Sequence, residues 1–266
     1  MFERVIVCLD GSAFAEAMLP VAKTVTETAA GEIVLFRVVE DRAEAGAEEA
    51  HLRDCARQYG ARLEFAVSLD AVDAIRNQLV GDPHSIAALT THGRSAPGEA
   101  VMGSVAFQIL REARRPTLLF TPHERDWSHA NRITTVAAAL DGTRFSEKIL
   151  PHAVKAARSL AASLLLVQAL PAPTPLSTEP VPDILESSYL QRKAAELRSA
   201  YAIDAQWEVL HGEPGEAICR YLKGMPETLL AMTTHARRPI ERFVLGSVAA
   251  YCVRHAGLPL LLYWPQ

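Results

Sequence analysis

Two short constellations in this chain have residue types and spacing suited to chemistry, and each occurs twice. The first is an aspartate closing an apolar run, followed by glycine and a hydroxyl residue: Asp10-Gly11-Ser12 after VIVCL, and Asp141-Gly142-Thr143 after VAAAL. A carboxylate so placed can accept hydrogen bonds from ribose hydroxyls or hold a metal beside phosphates. On residues alone it reads equally well as a turn or helix-cap aspartate. The second constellation is Gly-Ser opening a helical pattern, Gly103-Ser104 and Gly246-Ser247. A helix start offers unpaired backbone N–H groups and a partial positive charge, so Gly103 would let backbone approach a phosphate while the Ser104 hydroxyl donates to it. An isolated Gly-Ser does no more than begin a helix; here it stands at a fixed distance after Thr-Thr in both places.

The elements that must position these groups are themselves repeated. VIVCLDGSAFAEAMLP at 5–20 matches VAAALDGTRFSEKILP at 136–151, an offset of 131, and residues 85–120 match 228–263 at an offset of 143. The difference is nearly filled by the proline-rich PAPTPLSTEPVP at 171–182, which reads as an extended loop. In the first copy RVIVCL, EIVLFRVV, ARLEFAV, SIAALTT and PTLLF are short apolar runs bounded by Gly, Pro, Asp or charge, as buried parallel strands are. Helical spacing fills 12–29, 46–59, 71–79 and 104–114, with Ser12 or Gly11 placed to cap the first helix. Matching strands are expected near 133–140, 163–170, 204–210, 228–234 and 258–263. Strands alternating with helices predict doubly wound α/β sheets, one per copy. The domains span 1–122 and 132–266, joined by a polar linker at 123–131. Residues 183–201 form an amphipathic helix whose ordinary role is to cover the second sheet.

Composition narrows the function classes. Acidic and basic residues nearly cancel, 31 against 27, and are scattered, which argues against nucleic acid as a partner. Cys8, Cys55, Cys219 and Cys252 form no C-x-x-C pair, and three lie in apolar runs, as reduced cysteines of a cytoplasmic protein would. The first apolar run has five residues, too short for a signal segment or membrane span, so a soluble protein is expected. Nine histidines with no H-x-x-x-H or Cys/His grouping at ligand spacing predict no metal site. His92, His235, Arg94 and Arg237 recur after Thr-Thr and read either as a phosphate clamp or as loop-shaping residues. No Walker motif, G-x-S-x-G elbow or S-G-G-x-D-S signature is present, so the chain is not expected to be an enzyme.

In the order and spacing of these positions the chain resembles a tandem universal stress protein, two copies of that domain covering almost its whole length. The family's nucleotide-binding members carry G-x-x-G-x9-G-[ST] after the fourth strand, the strand-end aspartate, and V-x-x-G-x-P-x-x-x-I after the third. The resemblance implies five-stranded sheets in the order 3-2-1-4-5, pairing through the fifth strands, and an adenine nucleotide, ATP or AMP, with Mg²⁺ accompanying ATP. It assigns the first site to Asp10, Val38, Thr90, Gly93, Arg94, Gly103, Ser104 and Val105, with adenine met by backbone at Val38.

Each copy departs from the pattern differently. In the first, Thr90 replaces a glycine, Ala106 replaces a hydroxyl, and VSLDAVDAI at 67–75 is one residue short and lacks its Gly and Pro. In the second, VLHGEPGEAI at 209–218 keeps Gly212, Pro214 and Ile218, but Thr233 and Ala236 replace two glycines and Ala249 the hydroxyl. A degenerate second site and a nucleotide site in the first copy are therefore expected. The alternative readings are a nucleotide-free protein acting through protein contacts, and slow ATP hydrolysis with Asp10 holding the metal. Whole chains could also form a homodimer.

Overall fold

The computed structural model describes residues 1–91, 102–122, 127, 132–170, 183–234 and 245–265. Gly93, Arg94, His92, Ala236, His235, Arg237, most of the 123–131 linker and the 171–182 segment lie outside the described residues.

The first copy runs β1 (Arg4–Leu9), α1 (Ala13–Glu16), α2 (Met18–Ala29), β2 (Glu32–Val39), α3 (Arg42–Tyr59), β3 (Arg62–Val67), α4 (Ala71–Val80), β4 (Ser85–Thr90), α5 (Ser104–Glu112) and β5 (Thr117–Phe120). The second runs β6 (Thr135–Leu140), a 3₁₀ turn at Ser146–Ile149, α6 (Leu150–Ser159), β7 (Ser163–Leu170), α7 (Asp183–Tyr201), β8 (Ala205–His211), α8 (Pro214–Leu222), β9 (Thr228–Thr233), α9 (Ser247–His255) and β10 (Leu260–Tyr263). Every strand expected from the apolar runs is present within two residues of its expected ends.

The ten strands among the described residues form one sheet in the order β3-β2-β1-β4-β5-β10-β9-β6-β7-β8. Each half is parallel throughout and keeps the order 3-2-1-4-5; the halves meet where β5 and β10 pair antiparallel. The inner strands β4, β6 and β9 are buried along their whole length, as expected of parallel strands covered on both faces. The outermost strands β3 and β8 are partly exposed and carry charge, including Arg62, Glu64 and Glu208, which discourages edge-to-edge association. The long helix α7 packs on β7 and β8 with Leu190 and Leu197 buried, the covering role read from its periodicity.

One helix departs from expectation. The pattern over 12–29 predicts a single helix, yet it breaks at Ala17 into α1 and α2. Pro20 supplies the reason: it has no N–H to offer the carbonyl of Glu16, and its ring crowds that carbonyl. The second copy repeats the break with Pro151 at the start of α6, and the residues before it tighten into the 3₁₀ turn.

Candidate functional site

At the carboxyl ends of β1, β2 and β4 the first copy holds a cavity of about 290 Å³. Strand order reverses between β1 and β4, which is where open α/β sheets collect ligands. Asp10, Val38, Thr90, Gly103, Ser104 and Val105 all line it. The structure thus gathers every described residue of the expected first site around one space.

The Asp10 turn is set by its sequence. Gly11 has φ of +83° and Gly142 φ of +82°, a region that side chains resist. Asp10 Oδ1 accepts from the Ser12 amide at 3.0 Å and the Ser12 hydroxyl at 2.7 Å, while the Ser12 Oγ accepts from the Ala15 amide at 3.1 Å to cap α1. The turn reading of the aspartate therefore holds. One carboxylate oxygen closes the turn, and the residue still lines the cavity.

At the other wall α5 begins. Gly103 occupies the N-cap position with no side-chain cap, and its own N–H donates to the Thr91 carbonyl at 2.6 Å. The anion-binding potential of the helix start consequently lies with the first-turn N–H groups of Ser104, Val105 and Ala106 rather than with Gly103 itself. Opposite them, α4 contributes Ala71 and Ile75 to the cavity. Where the third-strand motif has lost its Gly and Pro, Asp70 caps α4 by accepting from the Asp73 amide at 2.9 Å.

A further residue, outside both motifs, enters the cavity. Arg37 is 5% exposed, lines the cavity, donates from Nε to Glu48 Oε2 on α3 at 2.8 Å, and donates to the Val38 carbonyl. Its sequence signal is a lone charge inside the apolar run EIVLFRVV. The Val38 carbonyl is thus already engaged by Arg37, with one of its two lone pairs left over. Cys8 also lines the cavity, and burial pushes its thiol up to about 12, which makes it a poor nucleophile.

The second copy builds the same turn with different surroundings. Asp141 Oδ1 accepts from the Thr143 amide at 3.0 Å and its hydroxyl at 2.6 Å, while Asp141 Oδ2 is buried without a hydrogen-bond partner. Gln168 stands in the register that Arg37 holds in the first copy, beside Leu140 as Arg37 is beside Leu9, so a neutral amide replaces the buried cation on this strand. Glu147 accepts from the Tyr189 hydroxyl at 3.1 Å and pairs with Lys193 at 3.0 Å, both from α7. Burial, with the nearby Glu147 carboxylate, holds the Tyr189 phenol well above its usual value. Gly246 again opens its helix uncapped, with its N–H donated to the Thr234 carbonyl at 2.8 Å.

Among the described residues no helix is long and apolar enough to cross a membrane. The sequence profile of the universal stress protein family matches residues 132–263. Universal stress protein Slr1230 of Synechocystis is 24% identical over 302 residues, covering 98% of this chain and 99% of its own. Universal stress protein MJ0531 of Methanocaldococcus jannaschii is 23% identical over 140 residues, half of this chain and 82% of that one. The crystal structure of a universal stress protein from Archaeoglobus fulgidus superposes with a TM-score of 0.73 at 16% identity, covering 99% of each chain, and so shares the fold. With the profile on the second copy, the internal repeat in the first, and a relative that spans both, the chain belongs to the universal stress protein family as two such domains in tandem.

Proposed function

We propose that the first copy binds an adenine nucleotide, ATP or AMP, and that the second serves as a pairing and interaction module without nucleotide, in a non-catalytic stress-response protein. The observation that carries this reading is the convergence of Asp10, Val38, Thr90, Gly103, Ser104 and Val105 on one cavity at the strand ends. In this reading the α5 start receives the phosphates, Asp10 the ribose and Val38 the base, with Mg²⁺ accompanying ATP. The second copy lacks the Arg37 counterpart, and α7 sets Tyr189 and Lys193 against Glu147. Four free cysteines suit a reducing cytoplasm.

Calorimetry with ATP and AMP, with and without Mg²⁺, tests it. Gly103→Asp puts an acidic N-cap on α5, which favours the helix but repels a phosphate. Wild type is expected to bind and Gly103→Asp to lose binding. Absence of binding to wild type would leave the nucleotide-free reading, and binding that survives Gly103→Asp but disappears in Asp141→Ala would move the site to the second copy. Phosphate release is expected to match the buffer control.

A further inference from the structure

A second cluster of chemistry-bearing side chains lies outside the cavity, between α1 and α3. His51 Nε2 is 2.8 Å from Glu16 Oε1 and 3.6 Å from Cys55 Sγ, and the three donor atoms lie within 4.8 Å of one another. The expectation that histidines and cysteines form no ligand grouping does not hold: His51-x-x-x-Cys55 is a pair at helical i, i+4 spacing, which places both on one side of α3. Glu16 joins them from α1, 35 residues earlier in the chain.

We propose that Glu16, His51 and Cys55 form a binding site for a divalent transition metal, with Zn²⁺ the fitting ion. The donor set of thiolate, imidazole and carboxylate is one that zinc takes in four-coordinate sites. Bond lengths of roughly 2.0–2.3 Å at tetrahedral angles separate a nitrogen and a sulfur ligand by about 3.6 Å, which is the separation His51 and Cys55 already have. The Glu16 to His51 contact is a hydrogen bond and must open by about half an ångström, exchanging a shared proton for the ion. Cys55 is buried and fixes one ligand, whereas His51 is exposed, leaving the fourth position to water. Binding converts the Cys55 thiol to a thiolate and releases its proton to solvent.

The second copy supplies an internal comparison. Glu147, the counterpart of Glu16, meets the Lys193 ammonium from α7, the counterpart of α3. A built-in cation therefore faces this glutamate in one copy, and in the other the same glutamate faces two metal-type donors. A metal at Glu16 would tie α1, which follows the Asp10 turn, to α3, whose Glu48 holds Arg37 in the cavity.

Titration of the reduced full-length protein with Co²⁺ and Zn²⁺ tests the site. One equivalent of Co²⁺ is expected to bind with a thiolate charge-transfer band that Zn²⁺ abolishes. Cys55→Ser should lose the band, Cys219→Ser should keep it, and His51→Ala and Glu16→Gln should weaken Zn²⁺ binding by at least about tenfold. His51 is exposed, so its variant should fold. Failure of wild type to bind either ion, a band that persists in Cys55→Ser, or unchanged Zn²⁺ affinity in His51→Ala would overturn the proposal.

Discussion

Leu118 and Leu261 stand opposite each other where β5 meets β10, and they are the same position of the two copies, separated by the repeat offset of 143. Leu119 faces Leu260 and Thr117 faces Leu262, so the pairing is symmetric about the central pair. A local twofold axis therefore passes between Leu118 and Leu261. An antiparallel junction of this kind joins two identical edges without presenting either to another chain. The duplicated PTLLF and PLLLY segments each complete the other's sheet, which makes the carboxyl strand ends of the two halves related by rotation rather than stacked in series.

Because Leu118 and Leu261 are both fully buried, Leu118→Ala and Leu261→Ala should each cost ~2–5 kcal/mol in urea unfolding. Cβ atoms directly across a strand pair are only about 5 Å apart, so the two cavities should merge. The double variant should therefore depart from additivity by more than about 0.5 kcal/mol. Additive losses would mean that the two side chains do not share a packing site.

Much of this architecture is legible in the sequence because parallel strands buried on both faces leave uninterrupted apolar runs, and SIAALT and TLLAMT show it plainly. The Asp-Gly-[Ser/Thr] turns are legible for a different reason, the positive φ that only glycine takes easily. The break at Ala17 is visible only once Pro20 is weighed against the amphipathic pattern around it. Contacts between distant segments are less accessible: Arg37 announces itself as a charge in an apolar run, but nothing local identifies Glu48 as its partner. Likewise His51 and Cys55 carry their spacing openly, while Glu16 reaches them only through the packing of α1 on the sheet.

The Arg37 to Glu48 pair should behave as a partly buried ion pair. Arg37→Met removes a side chain that is 5% exposed and takes the guanidinium away from the Glu48 carboxylate, 25% exposed. A loss of about 1–3 kcal/mol is expected, discounted from a fully buried pair because Glu48 retains some solvent. Adding Glu48→Gln should recover a substantial part of it. Denaturant unfolding of the two single variants and the double variant gives the coupling, and strictly additive losses would contradict the pairing.

Two glycines should fail for different reasons. At Gly142 an added Cβ would meet nothing closer than Gln168 Nε2 at 3.6 Å, so Gly142→Ala costs only the backbone strain of φ +82°, about 1–2 kcal/mol. Gly215 lacks a positive φ, yet its Cβ would lie 2.7 Å from the Tyr251 Cβ. Gly215→Ala must therefore push α8 from α9. Pairing it with Tyr251→Gly should relieve the clash, whereas no substitution at Gln168 should relieve Gly142→Ala. Thermal unfolding distinguishes the two patterns.

His152 gives the stability a pH dependence. Burial, reinforced by the nearby Lys155 ammonium, holds its imidazole below the ordinary value, and the ring lies 4.4 Å from that of Tyr263 on β10. A histidine whose folded pKa is depressed is protonated more readily in the unfolded chain, so falling pH favours unfolding. Its contribution should be fully present above the ordinary imidazole value of about 6.5 and be lost as pH falls from there through the folded pKa. The unfolding free energy of wild type relative to His152→Gln, measured from pH 7.5 downward, should accordingly shrink below about 6.5. A difference that stays constant, or that grows as the solution is acidified, would show that the imidazole is not held neutral by its surroundings.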